Sequence, residues 1–151
     1  MILEDKINLL AQLKMDQKPL WGKMTPQHMV EHLYKAIQAS INEIYLNVFT
    51  EERKISVLKK FLLGERPFPK EFMNPAIGPD LLPLEFTDLD SAIKKLEKAI
   101  KRYDQFFADN PLIKTAHPLF GHLTKEEWDI FHQKHFTHHL AQFGLISVQN
   151  E

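Results

Sequence analysis

Gly64, Pro67, Pro69, Pro75, Gly78, Pro79 and Pro83 crowd one stretch of this chain, and every regular element must lie to one side of it or the other. Proline lacks the N–H that a helix or ladder needs, and glycine inside an element gives up conformational entropy, so residues 64 to 87 predict a long irregular crossover. Phe68, Phe72, Met73, Ile77, Leu81 and Leu82 are interleaved with the prolines. That pattern predicts a cover packed on the core rather than a loose linker.

On both sides the apolar residues recur at helical spacing, and no segment reads as a strand. A short helix is expected from about Leu3 to Met15, with Ile7, Leu10, Ala11 and Lys14 on one side. Thr25 and Pro26 are a cap and a first-turn proline, opening a longer helix to about Tyr45 with Met29, Leu33, Ala36, Ile37, Ser40 and Ile44 facing inward. Residues 51 to 63 form a further helix ended by Gly64. Asp88 opens another, to about Phe107, with Leu89, Ala92, Ile93, Leu96, Ile100, Tyr103 and Phe107 inward. Thr124-Lys125-Glu126-Glu127 has the form of a capping box and starts the last helix, expected to reach Ser147. The expected fold is all-α: one domain over residues 1–151, an antiparallel four-helix bundle with a long Pro-rich crossover loop.

Composition removes several functions. With 19 basic against 20 acidic residues there is no electrostatic case for nucleic acid. No apolar run approaches the ~20 residues of a membrane span, and the acids in MILEDKINLLAQLK do not suit a signal peptide. A cytoplasmic setting is expected, and the lack of Cys excludes thiolate nucleophiles, disulfides and thiolate metal sites. Trp21 and Trp128 are expected as core anchors. Leftover apolar helix faces make a homodimer an expectation as well.

Histidine is the exception to this ordinary composition, with five of the eight between His122 and His139. At about 100° per residue, His135, His139 and Gln142 fall within the inward face of the last helix marked by Trp128, Phe131, Phe143 and Ile146. Two imidazoles at i and i+4 stand one above the other and can grip one metal ion. His32 borders the apolar stripe of the earlier helix beside the small Ala36 and Ala39, and completes a set of three ligands. Three ligands leave coordination positions open, the pattern of a catalytic rather than a structural site. His28, His132 and His138 stay open as alternative ligands. His132 and His138, flanking the central pair, also fit a plain surface patch.

The stretches WGKMTPQHMVEHLYKAI and HPLFGHLTKEEWDIFHQKHFTHHLAQFG carry a resemblance. Together they resemble the DinB/YfiT-like metalloenzyme superfamily, and within it a branch with "HP-x-FG" and "H-x-x-HHL-x-QFG" stretches. The resemblance implies an up-down-down-up four-helix bundle holding a metal by one His from an early helix and an H-x-x-x-H pair on the last. Carried onto this chain, those are His32 of "MVEHL" and His135 and His139 of "HFTHH". It implies one divalent transition metal, zinc or nickel foremost and iron or manganese after them. It also implies a small-molecule substrate, with thiol transfer (a low-molecular-weight thiol as partner) or hydrolysis as the reaction.

Around that site, Gln142 is expected to bind a metal-bound water or to orient a histidine, His117 to supply a polar contact, and Phe120 to form a pocket wall. Glu31, His28 and His138 are the candidate bases nearest in sequence, with Glu31 turned toward solvent. The expected function is therefore a metal-dependent hydrolase or thiol transferase. The alternatives are a non-catalytic metal-binding or stress-associated bundle, and a partner-binding bundle whose His cluster is incidental.

Overall fold

The computed structural model describes residues 3–70, 72 and 80–147. Five helices and a two-stranded hairpin follow in the order α1 (Glu4–Leu10), α2 (Pro26–Ser40), α3 (Glu52–Leu63), α4 (Leu89–Asp109), β1 (Thr115–His117), β2 (Gly121–Leu123) and α5 (Lys125–Gln142). The architecture is all-α in its bulk and bundle-like, with α1, α2, α4 and α5 packed around one core. No described helix is long and apolar enough to cross a membrane.

Caps hold the two helices that carry the histidines. Thr25 accepts from the His28 backbone N–H at the start of α2, and Pro26 takes the first turn. At α5, Thr124 accepts from Glu127 N and the Glu127 side chain returns the bond to Thr124 N, a complete capping box. Each such cap satisfies orphan N–H groups and stabilises a helix start by ~1 kcal/mol. Asp88 caps α4 in the same manner.

The core is built from the expected stripes. Met29, Leu33 and Ile37 of α2 and Ala92, Leu96 and Tyr103 of α4 are wholly buried. On α1 the inward residue is Leu10, followed by Leu13, while Ala11 and Lys14 are exposed. The helix stops at Leu10 because the next N–H groups close tighter turns, Ala11 onto Asn8 and Gln12 onto Leu9. α2 ends at Ser40 rather than Tyr45, because Asn42 takes a left-handed φ of 59°. α5 ends at Gln142 rather than Ser147, with Gly144 at φ 71° just beyond.

The hairpin corrects the expectation of no strand. Thr115 pairs with Leu123 and His117 with Gly121, antiparallel. Strands of three residues are too short to show a period of two, so no alternation announces them. The turn between them is held by a side chain: His117 Nδ1 accepts from Leu119 N at 3.0 Å and Phe120 N at 3.4 Å. Gly121 at φ +73° closes it, and a Cβ there would crowd the Ile55 side chain at 3.1 Å.

Part of the crossover packs as a cover. Phe68 is buried, stacks on Phe72 at 5.0 Å, and lies 5.9 Å from Phe131. Leu81 and Leu82 stay more than a third exposed, and Met73 and Ile77 lie outside the described residues. Residues 85 and 86 are tied down by Glu31, whose carboxylate accepts from Glu85 N, Phe86 N and Gln27 Nε2. Glu31 is thus 4% exposed, not a solvated acid. Those N–H groups offset the cost of burying its charge.

His132 belongs to the core, not to a surface patch. It stacks on Trp128 at 5.3 Å, and its Nε2 meets Ser40 Oγ at 3.0 Å. Ser40 spends its own proton on the Ile37 carbonyl, so His132 is the donor. Alongside, Trp128 Nε1 donates to Thr115 Oγ1, which donates to Ser40 O. This chain ties α5 to β1 and to the end of α2. Thr115→Val keeps the shape and leaves Trp128 Nε1 and Ser40 O without partners, so it should lower stability by about 1–3 kcal/mol. Urea unfolding checks this, and an unmoved midpoint would show that the chain contributes nothing.

Candidate metal centre

α2 and α5 bring His32, His135 and His139 to one point. His32 Nε2 lies 2.8 Å from His135 Nε2, which lies 3.2 Å from His139 Nε2. One ligand atom from each ring fits within a 4.8 Å span. His135 and His139 are buried, and His32 is partly open.

The tautomer of His139 follows from its neighbour. Gln142 Nε2 donates to the Trp21 carbonyl at 3.0 Å, which leaves Gln142 Oε1 to accept from His139 Nδ1 at 2.7 Å. The proton therefore sits on Nδ1, and Nε2 turns a lone pair toward the other two rings. This is how a metal-bound histidine is usually supported from behind. Gly22, at φ +76°, permits the close approach, since a Cβ there would stand 2.9 Å from Gln142 Nε2.

The donor set fits a cation. His139 Nε2 has no proton to give, and His135 Nε2 lies close to both neighbours but can share a proton with one of them only, so at least one of the two contacts lacks a hydrogen bond. Two imidazole nitrogens at about 2.1 Å from one metal stand about 3.0–3.4 Å apart in octahedral or tetrahedral geometry. The 3.2 Å distance lies within that range and the 2.8 Å distance just below it. His135 Nδ1 is sealed without a hydrogen-bond partner. No carboxylate joins the cluster among the described residues.

Burial keeps these rings neutral. It pushes His32 down to about 4, with His138 and Lys35 nearby adding to the effect. His135 and His139 lie well below the ordinary imidazole range, again chiefly through burial and then through the charge of His32. His117 and His132 are held at about 3 by burial.

The triad opens on a cavity of about 790 Å³, within the range of small-molecule sites. Ala36 and Ala39 leave room beside His32, and Phe68, Leu119 and Phe131 form apolar walls. Trp21 lines this cavity, half-buried, rather than anchoring the core, and Lys70 Nζ lies 5.2 Å from its ring. Trp128 is the core anchor, at 1% exposure. His28, His117 and His138 border the cavity, but Phe120 does not; it is wholly buried beneath the hairpin turn, and Pro118 and Leu119 stand at the wall instead. His28 faces Thr25 Oγ1 at 2.6 Å, and His138 packs edge-on to Trp21 and His139.

Lys35, Leu46 and the Pro83 region line the cavity as well. No periodicity could have found them, since loop residues carry no pattern. Lys35, one helical turn from Glu31 and His32, was the exception open to such reading.

A helical bundle with a buried three-histidine cluster beside a cavity has the donor set of a metal-binding protein. The chain belongs to the family described as "Protein of unknown function (DUF1569)", which matches residues 3–144. No curated protein and no solved structure matches it.

The buried neutral rings determine how the fold responds to acid. Their folded pKa values lie below the unfolded value of about 6.5, so the unfolded chain binds more protons from there down to about 3–4, and stability falls as pH falls through that window. At pH 5 each of His32, His117 and His132 should contribute about 2 kcal/mol less than at pH 8. Circular dichroism against pH should show unfolding between about pH 6 and 4, moved to lower pH by a bound cation that competes with protons. An acid midpoint below pH 3 without metal would contradict neutral burial.

Proposed function

We propose that this protein holds one divalent transition metal through Nε2 of His32, His135 and His139. The observation that carries this is the convergence of three Nε2 atoms, one with its proton fixed on the far nitrogen by Gln142. An all-imidazole set suits zinc or nickel, with iron next and manganese, which favours carboxylates, last. The resemblance to the DinB/YfiT-like metalloenzymes points to the same three residues and supports the reading.

A second reading, favoured by the cavity beside the triad, is a metal-dependent enzyme acting on a small molecule by hydrolysis or thiol transfer. When bound, such an ion supplies a Lewis acid for an oxygen or sulfur ligand. The chain's own residues hold the three nitrogens on two helices and line the cavity beside them with Phe68 and Phe131. Glu31 is not a base in this reading, because its carboxylate is engaged by Gln27, Glu85 and Phe86. His138, on the cavity and lowered by burial, is the better placed proton acceptor.

Calorimetric zinc titration of the chelator-treated protein should give one site. Gln142→Leu should weaken it by about 10–100-fold, and Ala at His32, His135 or His139 should weaken it further. His28→Ala should leave it unchanged, and His132→Ala should cost stability instead. Unaltered affinity in His32→Ala, with loss in His28→Ala, would overturn the ligand set. Chelator-sensitive turnover of ester or thiol-acceptor substrates would favour the enzyme reading over a non-catalytic metal protein.

A further inference from the structure

His117 is deep, 3% exposed, and lies on the cavity, yet it takes no part in the triad. Both backbone N–H groups of the hairpin turn point at its Nδ1, from Leu119 at 3.0 Å and Phe120 at 3.4 Å. An acceptor nitrogen carries no proton, so in the neutral ring Nε2 must carry it. The hairpin thereby locks His117 as a neutral donor, and burial keeps it from becoming an imidazolium in the physiological range. Its ring packs at 4.4 Å on Phe131, which also neighbours His135 at 4.9 Å.

The lining carries three lysines against two carboxylates, Glu31 and Asp80. Glu31, the buried carboxylate on the lining, is consumed by three N–H groups. Gln142 spends both ends of its amide on His139 and Trp21. Lys23, Lys35 and Lys70 stand on the lining, the first two near Asp80 and Glu85, and Lys70 over Trp21. The walls between are hydrocarbon and aromatic. A dianion such as phosphate needs several donors together, whereas a single carboxylate on an apolar body needs fewer, here the Nε2–H of His117 with the lysine ammoniums at the rim.

We propose that the cavity binds a monocarboxylate with an apolar body, its head received by the Nε2–H of His117 beside the triad and its tail laid along Ala36, Ala39 and Phe131. The inference deepens the metal reading and rests on it only for strength, because His117 and the lysines are present without any cation. The lysines at the rim steer the anion inward, and the neutral donor discriminates for the carboxylate at the end of the path.

Octanoate and octan-1-ol, equal in chain length and different in charge, are the probes. Tryptophan fluorescence of the zinc-loaded and chelator-treated proteins should show saturable octanoate binding, with octan-1-ol weaker by about tenfold or more. In protein labelled with ¹⁵N-histidine, His117 should show the Nε2–H tautomer, and that proton should shift as octanoate is added. His117→Phe keeps a ring beside Phe131 and should erase the preference for the acid. Should that variant not fold, the probe pair and the NMR shift in the native protein decide alone. Octanoate binding with the His117 shift in a protein that takes up no zinc would uphold this inference and reject the metal reading alone. Octan-1-ol bound as tightly as octanoate, no octanoate binding to folded protein, or an unmoved His117 signal would overturn it.

Discussion

The structure depends on imidazole nitrogens withdrawn from water and brought face to face. A charged imidazole in such a place would lack solvation, so the rings stay neutral, and a neutral ring has one lone pair that must go somewhere. In His117 the lone pair goes to backbone N–H groups, and in His132 the N–H goes to Ser40 while Nδ1 is left without a partner. In His32, His135 and His139 the lone pairs have only each other or a cation. Everything around the triad keeps it from relaxing. Capped helices fix the two backbones, Gln142 fixes one tautomer, and Gly22 lets the Trp21 carbonyl reach Gln142.

The cover and the hairpin extend the same economy. Glu31 faces the crossover rather than solvent, so a charge placed beside a histidine serves to fasten residues 85 and 86 over the cavity. The HPLFG turn sets a proton on His117 through two backbone bonds and buries Phe120 below. Rigid scaffolding of this kind, with a cavity at its end, is how helical bundles build sites from side chains on facing helices.

Much of this was legible before any coordinates. The helices and their starts followed from apolar spacing, Thr25-Pro26 and the Thr124–Glu127 box, because caps and stripes are local physics. That His135 and His139 share a side followed from their spacing, since residues four apart on one helix stand one above the other, whereas His32, on the border of its own stripe, was set opposite them by the resemblance. What failed was non-local. Glu31 seemed exposed because a helical wheel knows nothing of a loop that folds back on it. His132 seemed peripheral because α5 is enclosed on nearly all sides, with Trp128, His132, Phe136 and His139 all buried, and a helix buried all round has no single inward face. The short strands left no period to read, and the ends of α1, α2 and α5 were set by turn geometry at Ala11, Asn42 and Gly144.

Anomalous diffraction from a crystal of the zinc-loaded protein, collected on both sides of the zinc edge, tests the central claim most directly. The account predicts one strong peak about 2.1 Å from Nε2 of each of His32, His135 and His139, with the cavity side of the ion free of protein ligands. A peak held by other side chains, or three intact histidines with no peak between them, would contradict it.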